Sequence, residues 1–171
     1  QAQSASPFKT ALGFESNLSG SGTNVTTVGY QAGKSLTSGG GNTFVGYRAG
    51  YLASTGANNI AVGPSALGSA ITTGSNNVAI GFNAMLNTTS GAQNVSIGGQ
   101  AGQTIDTQSG NTLVGYYAGN VVYSANNTLV GGLAGSAVTT GANNTAIGYR
   151  AGQSGTNDRS EEHTSELQSR V

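Results

Sequence analysis

One short pattern returns at a nearly constant interval along this chain. Residues Gly41–Gly50 read GNTFVGYRAG, and Gly110–Gly119 read GNTLVGYYAG. Aligned on the glycine of the V-G-Y or I-G-F element, the copies centre on Gly13, Gly29, Gly46, Gly63, Gly81, Gly98, Gly115, Gly131 and Gly148. The steps between them are 16, 17, 17, 18, 17, 17, 16 and 17 residues, which makes nine copies. A fixed period of this size marks like units stacked so that each touches mainly its neighbours.

The residue before each anchor glycine is aliphatic in every copy: Leu12, Val28, Val45, Val62, Ile80, Ile97, Val114, Val130 and Ile147. Two positions earlier the side chain is β-branched each time: Thr10, Thr26, Thr43, Ile60, Val78, Val95, Thr112, Thr128 and Thr145. Alternate residues of a strand share a face, so these two columns point the same way. Between them lies a mixed column, Ala11, Thr27, Phe44, Ala61, Ala79, Ser96, Leu113, Leu129 and Ala146, facing the opposite way. Both faces are largely apolar, which implies a strand covered on both sides. The pattern leaves open which face lines the interior.

Asn precedes the strand in seven copies, as Asn42, Asn59, Asn77, Asn94, Asn111, Asn127 and Asn144. Asn suits a left-handed corner, and Asn residues stacked in register can form an amide ladder. The anchor glycines, from Gly29 to Gly148, are read as a second corner where a Cβ would obstruct the next coil. Ala fills the position three residues later in eight copies, consistent with a crowded inner corner. All length variation falls in the next few residues, such as Tyr51–Thr55, where an outer strand is expected before Thr-Gly turns at Gly56, Gly74, Gly91 and Gly141. The expected fold is all-β: a parallel β-solenoid, or β-roll, of about nine coils over residues 8–157. At about 4.8 Å per coil it is roughly 40 Å long.

Residues 1–7 have neither the basic nor the apolar region of a signal peptide and are expected to be disordered or the end of a fragment. The chain starts with Gln and its one Met is Met85, as expected of a processed product or an internal fragment. Residues 158–171 form a different text, with six of the chain's twelve charges and its one His. Arg159–Ser169, RSEEHTSELQS, resembles a translated sequencing adapter, so this tail is expected to be non-native or disordered.

Composition narrows the function. Net charge is zero and 7 % of residues are charged, giving no electrostatic basis for nucleic-acid binding. There is no Cys, hence no disulfide or thiolate metal site, and no apolar run long enough to span a membrane. Gly29–Ser35, GYQAGKS, approaches a phosphate-binding loop but carries Val28 where the first glycine belongs. Within residues 8–157 the carboxylates are Glu15 and Asp106, five coils apart, too far for a general acid–base pair. No catalytic residue, cofactor or metal is expected, and an enzyme is not. Six N-x-S/T sequons begin at Asn17, Asn24, Asn87, Asn94, Asn126 and Asn143, as an Asn- and Thr-rich chain produces by chance. An aromatic stripe follows the anchor glycine: Phe14, Tyr30, Tyr47, Phe82, Tyr116 and Tyr149. Its tyrosines are the candidate surface-binding residues, against the plainer reading that each ring packs over a neighbouring corner.

The elements Asn77–Gly81 (NVAIG) and Asn144–Gly148 (NTAIG) resemble the head repeats of trimeric autotransporter adhesins. The longer form at Gly41–Gly50 is similar to repeats in tail-fibre-like and surface proteins that end in a self-cleaving chaperone domain. The resemblance covers residues 8–152 and implies a left-handed β-roll, a homotrimer, an extracellular, cell-surface or virion location, and adhesion to a host surface protein or glycan. Independently, the narrow coil leaves one apolar strand face in need of a partner, which three copies around an axis would bury. The alternative function is an ice-binding solenoid, suggested by the Thr column, although the second rank is aliphatic throughout.

Overall fold

In a computed structural model the chain is described over residues 8–16, 20–70, 72–136, 141–152 and the backbone of 161–162. The expectations for residues 1–7 and, apart from that two-residue strand, for 158–171 lie outside the described residues. Each repeat contributes one short strand: β1 (Lys9–Leu12), β2 (Val25–Val28), β3 (Thr43–Val45), β4 (Ile60–Val62), β5 (Val78–Ile80), β6 (Val95–Ile97), β7 (Thr112–Val114), β8 (Thr128–Val130) and β9 (Thr145–Ile147). They stack parallel in chain order as one sheet, with eight turns of solenoid between nine strands. β10 (Glu161–Glu162) pairs parallel with β9. Register follows the repeat: Val45 lies beside Val28 and Val62, and Val114 beside Ile97 and Val130.

The mixed column faces inward. Phe44, Ala61, Ala79, Leu113 and Leu129 are fully buried, and so are the alanines Ala32, Ala49, Ala66, Ala84, Ala101, Ala118 and Ala134. This settles which face is core and explains the mixture. The interior admits about one large side chain per coil, supplied from any of three places. Coils three, seven and eight supply it from the strand, as Phe44, Leu113 and Leu129, and coil seven adds the smaller Val122 further on. Coils four and five have Ala61 and Ala79 on the strand and place Leu67 and Met85 on the following turn. Coils two and six, with Thr27 and Ser96 on the strand, use Leu36 and Ile105 further on. The hydroxyls of Thr27 and Ser96 have no hydrogen-bond partner, a local cost of burying a polar group.

An amide ladder runs beside this core. The Oδ1 of Asn59 accepts from the backbone N–H of Asn77 at 2.9 Å, and the Oδ1 of Asn77 accepts from that of Asn94 at 3.0 Å. The pattern continues to Asn111, Asn127 and Asn144. Each early ladder amide also donates into the return turn one coil on, as Asn42 does to the Gly56 carbonyl at 2.8 Å and Asn77 to Gly91 at 2.9 Å. The ladder asparagines are thus buried struts. The left-handed corner that the sequence assigned to them falls one residue earlier, at Gly41, Asn58, Asn76, Gln93, Gly110, Asn126 and Asn143.

The anchor glycines have φ between 126° and 137° from Gly29 to Gly148, and a Cβ on Gly46 would stand 2.6 Å from the Gly63 carbonyl oxygen. Only glycine fits there. The expected outer strand is not found: among the described residues, the segment after each anchor is a run of tight turns. The second and fourth residues past the anchor have positive φ, for example Arg48 (52°) and Gly50 (58°), and Leu67 takes this conformation at 51°. Bonds of the type Ala49 N–H to Gly46 and Ala53 N–H to Gly50 close the turns. Coils remain tied by bonds such as Ser35 N–H to Tyr51 and Thr37 N–H to Ser54. The segment therefore has the inter-coil bonding of a sheet without extended backbone.

Candidate interaction face

With the mixed column and the asparagines turned inward, the β-branched rank and the aliphatic rank both stand on the outside of the sheet. Ile60, Ile80 and Ile97 are 40 %, 36 % and 37 % exposed although each lies in mid-stack. Toward the ends the exposure rises, to 60 % at Leu12 and 57 % at Ile147. Neither rank holds a charged residue. The result is a ridged strip two side chains wide across nine parallel strands, roughly 38 Å long from eight steps of about 4.8 Å. The sequence identified the two columns and their common direction. That they face solvent follows from the size exchange in the core, which becomes readable once the strand and turn positions are paired.

The aromatic column borders this strip, just past the anchor glycines. Phe14, Tyr30 and Tyr47 stack face to face, with centroids 5.8 and 5.4 Å apart and planes within 9°. Pro64 takes the position in coil four, and Gly99 and Gly132 take it in coils six and eight. The Tyr116 ring reaches over Gly99 and the Tyr149 ring over Gly132. Tyr30, Tyr47, Tyr116 and Tyr149 thus share one exposed column in which each ring covers a neighbouring corner or ring. Tyr116 also meets Tyr117 edge to face at 4.4 Å, and a hydrogen bond with Tyr117 pushes its hydroxyl pKa up.

Next to the rings runs a polar row that sequence reading did not assemble. The Arg48 guanidinium lies 5.4 Å from the Tyr47 ring centre and 5.0 Å from that of Tyr51, and its Nε donates to Gln31 at 2.9 Å. Gln31 in turn donates to Glu15, which pairs with Lys34 at 2.8 Å. Arg48 and Arg150 both lie over tyrosine rings. Hydrogen bonds from Lys34 and then Gln31 hold the Glu15 carboxyl below its ordinary value, while Glu15 raises Lys34. Lys34 of the phosphate-loop-like stretch is therefore engaged by a carboxylate one coil away.

Of the sequons, Asn94 is buried in the ladder, whereas Asn24, Asn126 and Asn143 are exposed at the left-handed corner that Asn favours. Asn17 lies outside the described residues. Among the described residues, no three His, Cys, Asp or Glu side chains gather where they could hold a metal ion, and no helix is long and apolar enough to cross a membrane. Searches against known protein families, curated proteins and solved structures find no match to this chain.

Proposed function

We propose that the chain is a non-enzymatic structural and adhesive module of a cell-surface adhesin or phage tail fibre, working outside the cell or on a virion as a rigid spacer and binding head. The observation that carries this reading is the uncharged strip of Thr and aliphatic side chains left on the outside of the sheet. A strip of that length, aliphatic along one whole rank and free of charge along both, is suited to a partner. Taken as about 40 Å by 10 Å, it offers roughly 400 Å², half of what a stable pairwise contact buries on each side. In three left-handed rolls around a common axis, each strip is buried against two neighbours, and flanking residues such as the aromatic column add the remaining contact area. Rigidity comes from the Asn ladder and the continuous sheet. The outward tyrosines provide the contact for a host surface protein or glycan. Glu15 and Asp106, five coils or about 24 Å apart, cannot act on one bond.

Adhesion is tested by measuring binding of the purified chain to matrix proteins, glycan arrays and cells. Saturable binding reduced by Tyr116→Ala and Tyr149→Ala supports a binding head; uniform failure leaves only the spacer role. A second reading, ice binding, is favoured by one observation: a Thr rank and an aliphatic rank side by side on an open, regular sheet. Thermal hysteresis of the purified chain decides it, and its absence removes that reading.

A further inference from the structure

The outward strip is not uniform along its length. In the rank that begins each strand, Thr10, Thr26 and Thr43 occupy the first three coils and Thr112, Thr128 and Thr145 the last three. The three coils between them carry Ile60, Val78 and Val95. Beside these stand Val62, Ile80 and Ile97, so coils four to six present six aliphatic side chains and no hydroxyl in either rank. Beyond this block, on both sides, every coil pairs one hydroxyl with one aliphatic group.

We propose that this central block, Ile60 to Ile97 on β4, β5 and β6, is the seat of contact with a second copy of the chain, and that the Thr-bearing coils are its rim. The inference rests on the self-association proposed above and adds where its strength lies. An apolar centre with a polar surround is the usual anatomy of a protein contact, and affinity concentrates at that centre. An ice-binding role gives no reason for the Thr rank to stop in the middle. A copy of the same roll is the occupant because the strip is ridged once per coil. Another β-sheet could match that spacing, but a copy also carries the same order along it: with like coils facing, aliphatic meets aliphatic and Thr meets Thr over all nine coils. Neither rank carries charge, so a charged partner has nothing to pair with.

The test compares sedimentation of the full chain with that of two variants. Ile60→Thr/Val78→Thr/Val95→Thr places in the centre the residue that six other coils already hold at this rank, so the fold is kept, as an unchanged far-ultraviolet circular dichroism spectrum verifies. Its self-association is expected to weaken by at least about tenfold. Thr43→Val/Thr112→Val lengthens the apolar block by one coil at each end and is expected to tighten association. Equal association of the centre variant and the natural chain, or no gain from the lengthened block, overturns the assignment while leaving self-association intact. A natural chain that stays monomeric at every concentration overturns both.

Discussion

A Cβ on Gly50 would lie 2.6 to 2.7 Å from three atoms of the Phe44 ring. One coil later, the corresponding pair is Ala61 and Leu67, both fully buried. The same interior volume is thus filled once from the strand and once from the turn. Phe44→Ala should cost about 3–5 kcal/mol as a cavity, and Gly50→Leu about 1–3 kcal/mol by overpacking. Together they convert coil three into the arrangement of coil four, so the double variant should be more stable than Phe44→Ala alone. Denaturant unfolding of the cycle should give a favourable coupling larger than the cost of Gly50→Leu alone.

That exchange also marks what sequence reading can and cannot reach. The repeat, the strand, the anchor glycines and the buried alanines were legible because each is enforced in nearly every copy by a steric limit that one residue type meets. The inward face was not, because its requirement is a total volume shared by Phe44 with Gly50 or Ala61 with Leu67, and no single column shows it. The missing outer strand has a similar cause. Arg48, Ser65, Asn83, Gln100, Tyr117 and Leu133 all take positive φ at one position, so no residue type there signals the conformation. The outward ranks were found as columns, and their exposure became evident only when the core was assigned.

The ladder makes Asn77 irreplaceable by its nearest isostere. Its Nδ2 donates to Asn59 Oδ1 at 3.1 Å and to the Gly91 carbonyl at 2.9 Å, while its Oδ1 accepts from the Asn94 N–H. Asn77→Ala leaves buried groups without partners, at about 2–5 kcal/mol in total. Asn77→Asp keeps the acceptor but turns a second carboxylate oxygen toward two acceptors. It should be the worse substitution at neutral pH and recover partly in acid, where the buried carboxyl takes up a proton. Thermal melts of both variants at pH 4 and pH 7 check this.

Gly98 and Gly99 are adjacent and should respond differently to the same change. Gly98 has a φ of 132°, and a Cβ there would fall inside contact distance of Gly115 backbone. Gly99 is not among the positive-φ glycines, and its Cβ would meet only the Tyr116 ring, at 3.3 Å. Gly98→Ala should lose at least about 1–3 kcal/mol from backbone strain alone. Gly99→Ala should stay within about 0.5 kcal/mol of the natural chain. Parallel urea unfolding of the two variants measures the difference.

Stability should depend weakly on pH. The Glu15 carboxyl is lowered by Lys34 and Gln31, so its contribution is present above the ordinary carboxylate range and is lost as pH falls through the lowered value. Lys34 is raised by Glu15, so its contribution is present below the ordinary lysine value and is lost as pH rises through the raised one. Between the two the pair is intact, and both groups are solvent-screened. Melting temperatures should therefore be nearly flat from about pH 5 to pH 9. Glu15→Gln should reduce the acid-side slope with little change at pH 7.

The outward strip gives the most direct test of all. Sedimentation equilibrium of the purified chain over a wide concentration range measures whether that surface meets copies of itself. The expected result is a species of three times the 16.8 kDa chain mass. A single species of 16.8 kDa at every concentration would contradict it.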